Sequence, residues 1–125
     1  MNAPFAIELD QMRENAADAA EFLRVLSNRP RLLVLCHLQE AGELTVGQLV
    51  DRVGISQSAL SQHLAKLRAQ GLVAFRRDGQ TLFYRIDDWR ALRLLETLHA
   101  LFCAPATGGD QAALPSTASP KKQPE

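Results

Sequence analysis

From about Leu9 to Leu26 helix-forming residues run on without an internal Gly or Pro, which predicts a first helix. A second can begin after Asn28 with Pro30 in its first turn, where a missing N–H costs nothing, and Gly42 ends it. Thr45 can cap a short third helix through Val53, and Gly54 offers a sharp turn. Ser56 then caps a fourth helix that runs to about Gln70, with Gly71 as its stop. This is a helix-turn-helix pattern. The runs Leu72 to Arg77 and Gln80 to Ile86 flank Asp78-Gly79, a dipeptide that tolerates the positive φ angles of a type I′ turn, so a β-hairpin is expected next. Asp87 or Asp88 caps a last helix through about Phe102, in which Trp89, Leu92, Leu95, Leu98 and Phe102 recur at helical spacing. The expected fold class is α+β, mainly α: a winged helix-turn-helix with a two-stranded β-hairpin wing.

Beyond Cys103 the pattern stops, and Pro105, Pro115, Pro120 and Pro124 sit among Ala, Thr, Ser and Gly with little apolar surface to offset ordering entropy. Residues 104–125 are therefore expected to form a disordered tail, residues 1–8 an N-terminal arm, and residues 9–103 one winged-helix domain. A chain of 125 residues, 46% hydrophobic and 22% charged, fits one packed domain and leaves no room for a second. Its longest apolar run, Leu32 to Cys36, is far short of the roughly 20 residues a membrane helix needs. Met1 to Glu8 lacks the positive charge and small-residue cleavage pattern of a secretory signal. A cytoplasmic protein without a membrane partner is expected.

Fourteen basic residues balance fourteen acidic ones, which by itself argues against nucleic acid. Their distribution argues the other way. Met1 to Glu21 holds five acids against Arg13 alone, whereas Arg52 to Arg85 holds six bases against Asp78 alone. A concentrated basic segment attracts phosphate even in a neutral molecule.

The fourth helix lies inside that segment. At 100° per residue Gln57, Ser58, Ser61, Gln62, Ala65 and Arg68 share one arc of about 140°, while Leu60, Leu64 and Leu67 cluster on the other side. Small hydroxyls and amides suit a helix that enters a major groove, since Gln bonds adenine bidentately and Ser reaches bases or phosphates without blocking approach. Gln57, Ser58, Ser61 and Gln62 are the base-edge candidates; the bland alternative is an ordinary solvated face. His63 falls outside the arc and reads as a packing or phosphate-contact histidine. Arg76 and Arg77 stand beside the hairpin turn, with Gln80 across from Arg77 if Asp78-Gly79 is the loop, so a charged wing tip is expected to meet phosphates or the narrow minor groove.

The order of elements, with the stretch Leu44 to Ile86, resembles the ArsR/SmtB family of small winged-helix repressors. The resemblance covers roughly Leu9 to Cys103, and the family's reading-helix pattern is matched by Ser56, Gln57, Ser58, Ser61, His63, Leu64 and Leu67, followed by Gly71-Leu72-Val73. It implies a homodimer, built mainly from the first and last helices, that sits on a pseudo-palindromic operator and blocks transcription until an inducer binds. Two-fold pairing also doubles the few bases one short helix can touch.

Many members of this family sense metals, but the ligands are mostly missing here. Where the arsenic and cadmium type carries Cys-x-Cys, this chain has Glu43-Leu44-Thr45-Val46-Gly47. Where the zinc type places paired Asp and His on the last helix, His99 stands alone. A mixed site of Cys36, Cys103 and His37 or His99 is a minor alternative, and neither metal nor cofactor is expected. The two cysteines, Cys36 and Cys103, form no CxxC and no disulfide framework. A leucine-rich helix commonly buries a cysteine such as Cys36, whereas Cys103 beside the Pro/Gly tail is better placed for exposure. Both positions match the persulfide-sensing (BigR/SqrR-like) branch of the family. That resemblance implies that reactive sulfur species act as inducer, joining the two thiols through a disulfide or polysulfide bridge that lowers operator affinity. Arg31 and His37 are candidate electrostatic helpers for a thiolate.

Two other classes compete. A small thiol enzyme would need a nucleophile-base-orienter set or a phosphate loop, and neither is visible, so no catalytic residue is expected. A general redox-responsive or metal-responsive repressor, or an inducer-independent DNA-binding antirepressor, would share the DNA-reading elements and differ at the cysteines.

Overall fold

The computed structural model describes residues 7–103. The expected tail and most of the expected N-terminal arm lie outside the described residues. The chain divides into two units, Met1–Ala91 and Leu92–Glu125.

In the first unit each helix starts where a side chain can satisfy an orphan N–H. Helix α1 spans Leu9–Leu26, and Glu8 accepts from the Asp10 amide at its start. Helix α2, Arg29–Ala41, is capped by Asn28, which accepts from the Arg31 amide. Thr45 begins α3, Val46–Val53, in a reciprocal capping box: its hydroxyl accepts from Gln48 N at 3.1 Å while Gln48 Oε1 accepts from Thr45 N at 2.9 Å. Gly54 then takes a left-handed conformation, φ 80° and ψ 34°, and turns the chain into α4, Gln57–Ala69, capped by Ser56. The helix-turn-helix stands where the turn chemistry placed it.

One strand was not legible in the pattern. Leu44–Thr45 forms β1, which joins β2 (Val73–Asp78) and β3 (Thr81–Ile86) in an antiparallel sheet of order β1-β3-β2. The wing is thus three-stranded rather than a bare hairpin. Its turn also differs by one residue from the expected Asp78-Gly79 loop. Asp78 pairs with Thr81 and Arg77 with Leu82, so Gly79-Gln80 is the loop and Gln80 does not face Arg77. Gly79, at φ 65°, occupies the first loop position, where primed hairpin turns demand a positive φ. This register sets Phe75 opposite Tyr84, with ring centroids 5.3 Å apart, and Val73 opposite Ile86. An Asp78-Gly79 loop would have separated those pairs.

The core of the first unit is aliphatic. Val34, Leu35 and Leu38 of α2 are buried, as are Leu49 of α3, Leu60, Leu64 and Leu67 of α4, and Leu72 and Val73 at the wing. Of α1, only Val25 and Leu26 are buried, whereas Leu9, Met12 and Leu23 are exposed. The final helix, α5, spans Trp89–Phe102. Asp88 Oδ1 accepts from Arg90 N at 2.9 Å at its start, the cap expected of one of the two aspartates. In the second unit Leu101 and Phe102 are exposed.

Candidate nucleic-acid interface

Helix α4 divides its sides cleanly. Leu60, Leu64 and Leu67 are at most 2% exposed, while Gln57, Ser58, Ser61 and Gln62 all face solvent. The side chains of Gln57, Ser58, Ser61 and Gln62 form no hydrogen bond within the described residues, so their donors and acceptors are open to a ligand. Gln57 also lines a shallow groove of about 430 Å³ with Thr45, Val46 and Gly47 on one side and Gln80, Thr81 and Leu82 of the wing on the other. The groove brings together two of the sequence-predicted positions, Gln57 and Gln80; Ser58, Ser61 and Gln62 lie on α4 outside its lining.

The six bases of the Arg52 to Arg85 segment separate into two sets. Arg52 pairs with Glu40 at 3.6 Å, Arg85 with Asp87 at 3.7 Å, and Arg76 with Glu43 at 3.0 Å. Lys66, Arg68 and Arg77 have no ion pair among the described residues. Within this segment the unmatched positive charge therefore sits on α4 and the wing.

Arg76 and Arg77 are neighbours in sequence but not in role. Arg76 Nε reaches both carboxylate oxygens of Glu43, at 3.0 and 3.1 Å, and its guanidinium lies 4.4 Å from the centre of the Phe83 ring. The bond to Glu43 holds its pKa above the usual arginine value. Arg76 ties the wing to the segment before β1, and its charge is already matched. Arg77 alternates to the other face of β2 and is exposed.

Arg68 is a cation that sequence reasoning left off the contact set. It stands 4.5 Å over the Phe75 ring, a contact that anchors the guanidinium where α4 meets the sheet. Its place in the arc with Gln57 and Ser61 was the signal that could have found it. His63, expected to be a packing or phosphate-contact histidine, is half-buried. Arg31 Nη1 donates to His63 Nδ1 at 3.3 Å, since a guanidinium has no acceptor to offer. Burial, with Arg31 and then Lys66 nearby, lowers the His63 pKa below its ordinary value.

Both cysteines are exposed, Cys36 on α2 and Cys103 just after α5, so Cys36 is not the buried hydrophobe that its leucine-rich surroundings suggested. Arg31, one of the two candidate helpers, is buried, with Nε donating to Val25 O at 2.6 Å. His37, the other helper considered, is half-buried. Among the described residues no group of three or more His, Cys, Asp or Glu could hold a metal ion. No helix among them is long and apolar enough to cross a membrane.

Comparison with known proteins places this geometry. The profile described as "Bacterial regulatory protein, arsR family" matches residues 28–74, from the α2 cap into β2. The chain is 44% identical over 97 residues to the transcriptional activator HlyU of Vibrio cholerae, covering 78% of this chain and 89% of that protein. It is 41% identical over 99 residues to the biofilm growth-associated repressor of Agrobacterium fabrum, covering 79% and 84%. Among solved structures, the transcriptional repressor BigR from Xylella fastidiosa superposes with a TM-score of 0.73 at 37% identity, covering 79% of this chain and all of that one.

Proposed function

The chain belongs to the ArsR family of bacterial regulatory proteins, DNA-binding transcriptional regulators with a winged-helix fold, and from that membership we propose that it is a homodimeric, cytoplasmic operator-binding repressor released by reactive sulfur species through Cys36 and Cys103. The observation that carries the DNA half is the unengaged polar face of α4 beside unmatched cations. Gln57, Ser58, Ser61 and Gln62 read base edges, and Arg77 meets phosphate or the minor groove next to Gln80. Arg76 braces the wing.

Dimerisation through the first and last helices is supported by the apolar surface left uncovered on each. Leu9, Met12 and Leu23 of α1 fall within about 60° of one another on the helix, and Leu101 and Phe102 of α5 are exposed. A two-fold dimer presents two reading helices to a pseudo-palindromic site.

The sensing half is supported by the exposure of both thiols and by similarity to BigR. One thiolate attacks the sulfane sulfur of a low-molecular-weight persulfide, releasing a thiol and leaving a protein persulfide. The second thiolate then attacks the sulfur bonded to Cβ, expels hydrosulfide and closes a disulfide; further persulfide lengthens the bridge before closure. Two thiols are oxidised and the sulfane sulfur is reduced, so no other oxidant is needed.

The test is mass spectrometry of reduced protein treated separately with glutathione persulfide and with hydrogen peroxide, with DNA binding followed on the same samples. A Cys36–Cys103 cross-link and DNA release after persulfide, both lost in Cys36→Ser and Cys103→Ser, are expected. Equal release by peroxide makes the protein a general redox switch. Release that survives both serine variants removes the cysteines from the mechanism.

A further inference from the structure

Arg31 carries a buried charge that no acid balances among the described residues. Only 8% of it is exposed, and its partners are the Val25 carbonyl and the His63 imidazole, both neutral acceptors. Among the described residues no carboxylate pairs with it. Taking a guanidinium out of water without an opposite charge is costly, and proteins seldom leave that cost uncompensated.

The guanidinium borders a concavity of about 130 Å³ between α1, α2 and α4, lined by Arg24, Val25, Arg31, Lys66, Ala69 and Gln70. That is several times the ~30 Å³ of one water. Three of its six lining residues are cations. Arg24 is bonded to Glu21 at 2.7 Å, and Gln70 Nε2 donates to the same carboxylate at 3.3 Å, so that acid offsets one charge and leaves Arg31 and Lys66 unmatched. Lys66 lies one turn beyond Gln62 on α4, at the border of the base-reading arc. The concavity thus shares α4 with the surface assigned to DNA.

We propose that this concavity is a phosphate-binding site, in which Lys66 and Arg31 hold the oxyanion and Gln70 supplies a neutral donor. The phosphate comes either from the DNA backbone or from a free phosphate-bearing anion. Only the first source rests on the operator-binding reading above. A backbone phosphate seated there would hold α4 in its groove by a contact independent of base identity. A free anion would instead couple solution chemistry to the reading helix.

Reduced full-length protein is titrated with inorganic phosphate against chloride at matched ionic strength, observing the Arg31 Nε–H and His63 imidazole resonances. In parallel, the salt dependence of binding to a duplex selected from random DNA is measured for wild type, Lys66→Gln, Arg68→Gln and Gln57→Ala. Saturable shifts of both resonances are expected, lost in Lys66→Gln and kept in Arg68→Gln, whose side chain is outside the concavity. A salt slope less steep by about one in Lys66→Gln assigns the phosphate to the DNA backbone, while an unchanged slope assigns it to a free anion. Absence of saturable shifts with either phosphate or DNA overturns the site. So does a slope change in Lys66→Gln without movement of the Arg31 and His63 signals, because the phosphate then touches Lys66 alone. If no duplex is selected, the DNA reading fails and the phosphate titration still decides the concavity.

Discussion

The wing and the reading helix lie side by side and spend their polar groups in opposite ways. On the wing, Arg76 is matched by Glu43 and stacked on Phe83, Phe75 packs against Tyr84, and β1 covers one edge of β3. On α4, the side chains of Gln57, Ser58, Ser61 and Gln62 make no hydrogen bond or ion pair among the described residues. The first arrangement makes a stiff support whose interactions are satisfied internally. The second leaves donors and acceptors open, which is what a surface needs if its hydrogen bonds are to be made with a partner. Charge alone therefore does not separate the two: Arg76 and Arg77 are adjacent and identical, yet only Arg77 is without an ion pair among the described residues.

The contrast collapses most completely if the core beneath both regions is damaged. Leu64 is 2% exposed on the core side of α4, and Leu64→Ala is expected to cost about 2–5 kcal/mol in denaturant unfolding. Binding and fold should then fail together; an unchanged midpoint would show that α4 is not anchored as described. Gln57→Ala separates reading from folding. It should leave stability intact and remove about 1–3 kcal/mol of discrimination between selected and mutated duplexes in competition binding. Equal loss on every sequence would move Gln57 from the bases to the backbone.

The two wing arginines give a smaller and more diagnostic difference. Arg77→Gln should make the salt slope of DNA affinity less steep by about one, evenly across sequences. Arg76→Gln should leave that slope alone and lower thermal stability by less than Leu64→Ala does. Identical slopes for both variants would erase the distinction between matched and unmatched charge.

The smallest effect is a pH dependence. The folded-state pKa of His63 lies below its unfolded value near 6.5, so between the two values the unfolded chain binds the extra proton. Stability from this group is full above the unfolded pKa and falls as pH drops through it. Urea midpoints across about pH 8 to 5 should therefore decline on acidification, and less steeply in His63→Gln. Parallel curves would mean that neither burial nor the nearby Arg31 and Lys66 lowers the imidazole pKa.

Where elements begin and which face of a helix is apolar are local properties, and here local chemistry carried them. The caps at Asn28, Thr45 and Ser56, the left-handed turn at Gly54, and the Leu60, Leu64, Leu67 stripe are each set by one residue or by a 3.6-residue period, so they could be read from the chain alone. Tertiary structure decided what depends on partners distant in sequence. Glu43 is 33 positions from Arg76, and Arg31 is 32 from His63, so nothing local indicated which arginine would be matched and which buried. Likewise Leu44 and Thr45 become a strand only because β3 offers them Tyr84 and Phe83, and Phe75 against Tyr84 chose Gly79-Gln80 over Asp78-Gly79 as the loop. A hairpin turn favours a register, but the side-chain pairs that packing brings together select it.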